Sequence, residues 1–192
     1  LYIEHTFLFD GLSEVWRDDT PLTAQDILEF DAYCAERNIE LVPSVATFGH
    51  LYKVLRTKTF HELSEVEEAE GTAFSFYERM CHHTLNSTDD RAYELVCRLI
   101  DEYSPLFRSN LFNINCDETF DLGRGRGKER ADEIGSHVMY VQWVNRVCEH
   151  VKALGKRPMF WGDIIAAHPE AIKELPEDVI CMTWDYSPTP RE

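Results

Sequence analysis

Apolar and polar positions alternate between two periods along this chain. Leu1–Phe9 is a β-rich run, and Pro21–Asn38 opens a helix behind Thr23, with Ile27, Leu28, Phe30, Ala32 and Cys34 as its expected apolar face. Ile39–Phe48 is a second strand closing on Gly49-His50. Asp89–Phe107 places Ala92, Leu95, Val96, Leu99, Ile100 and Tyr103 at helical spacing, and Leu111–Cys116 follows as a third strand. Ser136–Leu154 carries Val138, Val141, Val144, Val147, Cys148 and Val151 on one side of a long helix that Gly155 ends. A fourth strand at Pro158–Ile165, a short helix at Pro169–Leu175 and a fifth strand at Val179–Tyr186 complete the series.

Strands that alternate with helices, with no hairpin dipeptide between them, predict an α/β fold with a parallel sheet covered by helices. Five units in 192 residues are about 38 residues each, and eight would need roughly 300, the size of a closed (β/α)₈ barrel. A single domain over 1–192, part of such a barrel, is the expectation. The rival is an open doubly wound sheet, which usually carries a glycine-rich first turn; none follows Phe9.

Charge narrows the partners. With 19 Lys plus Arg against 35 Asp plus Glu, the formal net charge is −16, which repels nucleic-acid phosphates and anionic lipid. No apolar run approaches a bilayer span, so neither nucleic acid nor membrane is an expected partner. The six cysteines include no CxxC pair; free thiols in a reducing, cytoplasmic setting are the expectation. Leu1 already lies inside an apolar run, so the natural N-terminus is expected to lie further upstream.

Polar residues gather where the strands end: Glu4 and His5, His50, Asp117 and Glu118, Trp161 with Asp163, and Trp184 with Asp185 and Tyr186. In either α/β architecture that face holds sites. On the third strand Phe112, Ile114 and Cys116 share one face, and Asn113, Asn115 and Asp117 the other. Strict alternation sends Glu118 away from Asp117, but the strand must end before the glycine-rich loop Gly123–Gly127, and there both carboxyls can reach one pocket. Adjacent carboxyls in a partly dry pocket resist double ionisation, which pushes one toward proton donation, as glycosidic cleavage requires. The alternative is that Asp117 or Glu118 caps the next segment or pairs with Arg124 or Arg126.

Trp161 and Trp184, each followed within two residues by Asp, suit a sugar site, since an aromatic face covers pyranose C–H groups while carboxylates bind hydroxyls; core packing is the other reading. His50, after Gly49, could orient a carboxylate or be structural. The acidic stretch Glu62–Glu70 is read as a solvated face or loop, and His82-His83 as a polar loop. Gly123–Gly127 is read as a flexible loop, since the P-loop spacing is not met. Cys116 is read as a packed thiol.

Along nearly its whole length the chain resembles the family 20 glycoside hydrolases, the β-N-acetylhexosaminidases, closest to the hexosaminidase D-like branch. The carrying segments are Leu1–Phe7, Leu22–His50, Phe112–Gly123 with its Asp117-Glu118 pair, and Trp161–Asp163. The resemblance implies a (β/α)₈ TIM barrel of which this chain covers about strands 2 to 6. It implies an exo-acting, retaining hydrolase that removes terminal β-linked GlcNAc or GalNAc from a glycan or glycoside, with no cofactor and no metal. Glu118 is then general acid and base, and Asp117 holds the 2-acetamido group whose oxygen attacks the anomeric carbon, a substrate-assisted scheme. Trp161 and Trp184 match the family's pocket aromatics; His50, Asp163, Tyr186, Glu4 and His5 complete the expected binding set. Cys116 stands where many members have Gly, and the family's sugar-binding Arg on the first strand and its Tyr and Trp on the seventh and eighth strands have no counterpart here. Two other classes remain open: a metal-dependent barrel hydrolase using His5, His50, Asp117 and Glu118, and a non-catalytic sugar-binding module.

Overall fold

A computed structural model describes residues 7–16, 20–67 and 83–186. Its centre is a three-stranded parallel sheet of β1 (Leu111–Asn113), β2 (Arg157–Trp161) and β3 (Ile180–Met182), in that order. Phe112 pairs with Pro158, and Phe160 with Cys181. Proline is tolerated at 158 because it sits near the start of its strand.

The segment expected as the second strand lies along the other edge of β1. Asn113 N–H donates to Pro43 O at 2.9 Å and Asn113 O accepts from Val45 N–H at 3.2 Å, so the pairing is parallel but is a single bridge, Ser44 with Asn113, rather than a ladder. Phe7 makes a parallel bridge to Leu22, the described remnant of the first predicted run; Glu4 and His5 lie outside the described residues. The observed architecture is therefore α/β with parallel strands, and the fourth strand is shorter than predicted because Gly162 opens a helix at Asp163–Ala167.

Helices cover the sheet where the periodicity placed them. In α1 (Ala24–Ala35) Thr23 Oγ1 accepts from Asp26 N–H, and Asp26 Oδ2 accepts from Thr23 N–H, a capping box. Its buried line is Ile27, Asp31 and Cys34, not the wider apolar face expected: Leu28 and Phe30 are exposed. Asp31 is tolerated inside because Arg108 Nε lies 3.4 Å from its carboxylate. A one-turn helix, α2 (Tyr52–Leu55), follows.

Helix α3 (Asp90–Tyr103) buries all six predicted positions. After α4 (Lys128–Ile134), α5 (Ser136–Ala153) buries Val141, Val144, Val147, Cys148 and Val151, with Met139, Tyr140 and Trp143 beside them; α6 is Asp163–Ala167. Phe48 stacks on Trp143 at 4.9 Å and Trp143 Nε1 donates to Thr47 O, so the long helix grips the segment that ends in His50. Each such fully buried large side chain contributes about 1.5–3 kcal/mol. Among the described residues no helix is long and apolar enough to cross a membrane, and Cys34, Cys97, Cys116, Cys148 and Cys181 are free thiols.

Candidate active site at the strand ends

The chain leaves β1 abruptly. Asn115, Cys116 and Glu118 have φ of 58°, 65° and 52°, the left-handed region that side chains other than glycine rarely occupy and that costs of order 1 kcal/mol or more per residue. The alternation of the strand is broken there, which is why Asp117 and Glu118 reach the same partner instead of opposite faces. Asp117 Oδ2 lies 3.3 Å and Glu118 Oε2 3.2 Å from His50 Nε2, with both carboxylates about four-fifths buried. Both acids thus meet a histidine rather than Arg124 or Arg126; Arg126 bonds to Glu67 and to Ser64 O.

His50 is itself left-handed, with φ of 60°. Its N–H donates to His83 Nδ1 at 2.6 Å and the two rings stack 4.9 Å apart with planes 10° from parallel. An acceptor Nδ1 fixes that His83 nitrogen as unprotonated. Gly49 is required by close approach: a Cβ there would strike the backbone carbonyl oxygen of Asp117.

Asp163, on the turn after β2, accepts the Glu118 N–H at 3.0 Å. Burial raises the Glu118 carboxyl above its ordinary range; His50 works in the opposite direction, and Asp117 and Asp163 add to the rise. Burial likewise raises Asp163, opposed by the Glu118 N–H bond. Four groups predicted from strand ends thus form one cluster: His50, Asp117, Glu118 and Asp163.

Trp161, at the end of β2, is bonded to Asn115, two residues before Asp117: Asn115 Oδ1 accepts from the Trp161 indole at 3.1 Å. Trp184 and Tyr186 stand beyond β3, exposed by 39% and 92%, their rings 5.5 Å apart; in the described structure they meet each other rather than the carboxylates. Cys116 is the packed thiol expected, buried against Thr47 Oγ1 at 3.3 Å with its ionisation strongly disfavoured by burial. Among the described residues no group of three or more His, Cys, Asp or Glu side chains has a metal-holding arrangement.

Three readings from the sequence are corrected. Glu65, within the acidic stretch, is fully buried, and its Oε1 accepts from the N–H groups of Gly123, Gly125 and Gly127 at 3.0 to 3.1 Å. The glycine-rich loop is therefore wrapped around a carboxylate; alternating glycines let successive N–H groups converge on one anion, and that spacing was the available signal. Next to it Asp121 accepts from Thr84 N–H and from its hydroxyl, tying the segment that carries His83 to the loop after Glu118. Within His82-His83, His83 is buried rather than part of a polar loop, and its stacking on His50 together with the His50 N–H it accepts reveals its place, while His82 lies outside the described residues.

Two carboxylates and a histidine thus converge at the strand ends of a parallel α/β sheet, the face on which parallel α/β folds carry their sites. The sequence profile of glycosyl hydrolase family 20, catalytic domain, matches residues 13–191, and the chain belongs to that family. It is 28% identical to human hexosaminidase D over 96% of this chain and 37% of that protein, and 25% identical to the Bos taurus hexosaminidase D over 95% and 52%. The chain thus spans about a third to a half of the length of these curated relatives. Among solved structures, a Flavobacterium johnsoniae chitobiase superposes with a TM-score of 0.73 at 22% identity, covering 93% of this chain and 27% of that one. A Bacteroides fragilis β-N-acetylhexosaminidase superposes at 0.72 and 18%, covering 94% and 37%.

Proposed function

We propose that this chain carries the acid/base half of an exo-acting, retaining β-N-acetylhexosaminidase, built on strands 2 to 6 of a (β/α)₈ barrel, that removes terminal β-linked GlcNAc or GalNAc. The observation that carries this reading is the cluster of His50, Asp117 and Glu118 within 3.3 Å, in which burial favours the protonated form of Glu118. A carboxylic acid that keeps its proton can give it to the glycosidic oxygen as the bond breaks.

In the first step the acetamido oxygen of the substrate attacks the anomeric carbon while Glu118 protonates the leaving oxygen, giving a cyclic oxazolinium and the free aglycone. Asp117 accepts the acetamido N–H and balances the positive charge. In the second step water attacks the same carbon from the face the aglycone left, Glu118 takes its proton, and two inversions give retention. His50 holds both carboxylates at fixed spacing, and Asp163 fixes the backbone of Glu118. Trp161 supplies an aromatic wall. On this reading Trp184 and Tyr186, exposed beyond β3, supply more of that wall when sugar is bound.

The test is substrate choice by the full-length protein. Aryl N-acetyl-β-glucosaminides should turn over while aryl β-glucosides are slower by about 10⁵-fold, the advantage of an intramolecular nucleophile. A thiazoline that mimics the oxazoline should inhibit strongly. Comparable rates on both substrates, or a covalent glycosyl-enzyme trapped on a protein carboxylate, would overturn the assignment.

A further inference from the structure

We infer that Asn115 is a positioning residue that sets the Trp161 ring for sugar binding, a role that deepens the proposed function and rests on Trp161 forming part of the pocket. Asn115 holds Trp161 at two points: its backbone carbonyl accepts the Trp161 N–H at 2.9 Å, and its side-chain Oδ1 accepts the indole Nε1–H at 3.1 Å. The Tyr140 hydroxyl donates to Trp161 O at 3.4 Å.

Asn115 Oδ1 also receives Ser44 Oγ at 3.0 Å and Asn113 Nδ2 at 2.9 Å. The indole N–H can only donate, so it fixes which end of the Asn115 amide faces it. The side chain is buried, and its Nδ2 has no hydrogen-bond partner among the described residues. A buried donor left unsatisfied is costly. The amide is thus held for what its oxygen accepts, and the one ring among those donors that stands at the candidate pocket is Trp161.

The backbone explains how the amide comes to be there. At φ of 58° glycine is the easiest residue and asparagine the best-tolerated residue with a side chain. Asparagine accepts the bend that turns the chain toward Asp117 and adds an acceptor glycine lacks. A ring locked before the sugar arrives saves the ordering cost of binding, so the effect belongs in KM.

The experiment is a double-mutant cycle of N115G and W161F in the full-length protein, read as KM and kcat on an aryl N-acetyl-β-glucosaminide. N115G keeps the backbone bond to Trp161 and suits the local φ, but it also takes the acceptor from Ser44 and Asn113, so a folded protein with a lowered melting temperature is expected. It should raise KM roughly 3- to 10-fold, the worth of one such hydrogen bond, with kcat changed by less than about twofold. In the W161F background, which has no indole N–H, the same substitution should leave KM within about twofold.

An equal KM penalty in both backgrounds, or none in either, would overturn the positioning role while leaving the proposed function intact. W161F alone leaving KM unchanged would overturn the pocket assignment of Trp161 and this inference with it. Asn115→Asp, which keeps the acceptor, covers the case of an N115G protein that melts early. It should keep KM within about twofold of the native value, and a KM raised roughly 3- to 10-fold despite the retained acceptor would count against the indole bond.

Discussion

The backbone N–H of Glu118 donates to Asp163 Oδ2 at 3.0 Å, so the residue proposed as the acid is anchored by a carboxylate from the neighbouring strand. The bond fixes Glu118 in position, and the charge of Asp163 also helps raise the Glu118 carboxyl.

Asp163→Asn removes that charge while keeping an acceptor for the N–H. The Glu118 pKa should fall, since a like charge is taken away. The alkaline limb of kcat/KM, where the acid loses its proton, should move to lower pH. A pH–rate profile checks this; an unmoved or upward-shifted limb would separate Asp163 from Glu118.

Glu118→Gln should depend on the leaving group. Substrates with poor leaving groups should lose about 10²- to 10⁴-fold in turnover, and those with activated aryl groups far less, because they need little protonation. Asp117→Asn should slow both, since every substrate uses the acetamido nucleophile. Steady-state rates on a series of aryl leaving groups measure the difference, and a slope unchanged by Glu118→Gln would take the acid role from Glu118.

Gly49→Ala should fold but catalyse poorly. The added methyl meets the Asp117 carbonyl oxygen and must displace either His50 or the carboxylate pair, and a shift near 1 Å costs about 10² in rate. Activity alongside a thermal melt tests this; full activity would show that the spacing of His50 and Asp117 is not critical.

Glu65 should reveal itself in stability. Glu65→Ala strands three glycine N–H groups in the interior, a loss of about 3 kcal/mol or more, seen as a Tm lower by roughly 6–12 °C. Glu65→Gln keeps the acceptor. Burial raises the Glu65 carboxyl above 4.5, so the folded form binds more protons than the unfolded one between 4.5 and the raised value, and its contribution to stability falls as pH climbs through that window. Glu65→Gln should remove this slope, and melts across that pH range decide it.

Much of the fold was legible because helix and strand periods report burial directly. The six buried positions of Asp90–Tyr103 and, apart from the half-buried Val138, the valine line of Ser136–Ala153 lie where spacing put them. Thr23 marked a helix start because capping is a local bond. The strand lengths were less legible, since Ile39–Phe48 pairs with β1 at a single bridge, and pairing belongs to two segments at once.

At the site, the sequence by itself determined the chemical types and their place at strand ends: Asp117, Glu118, His50, Asp163 and Trp161. Tertiary structure decided how they meet. Alternation alone would have parted Asp117 from Glu118, and it is the left-handed backbone at Asn115, Cys116 and Glu118 that brings both to His50. Glu65 read as one more solvated acid in a run of acids, yet its environment is three glycine N–H groups from a loop some 60 residues away. Local pattern records which residues prefer water; only the folded chain supplies the distant donors that make a buried carboxylate tolerable.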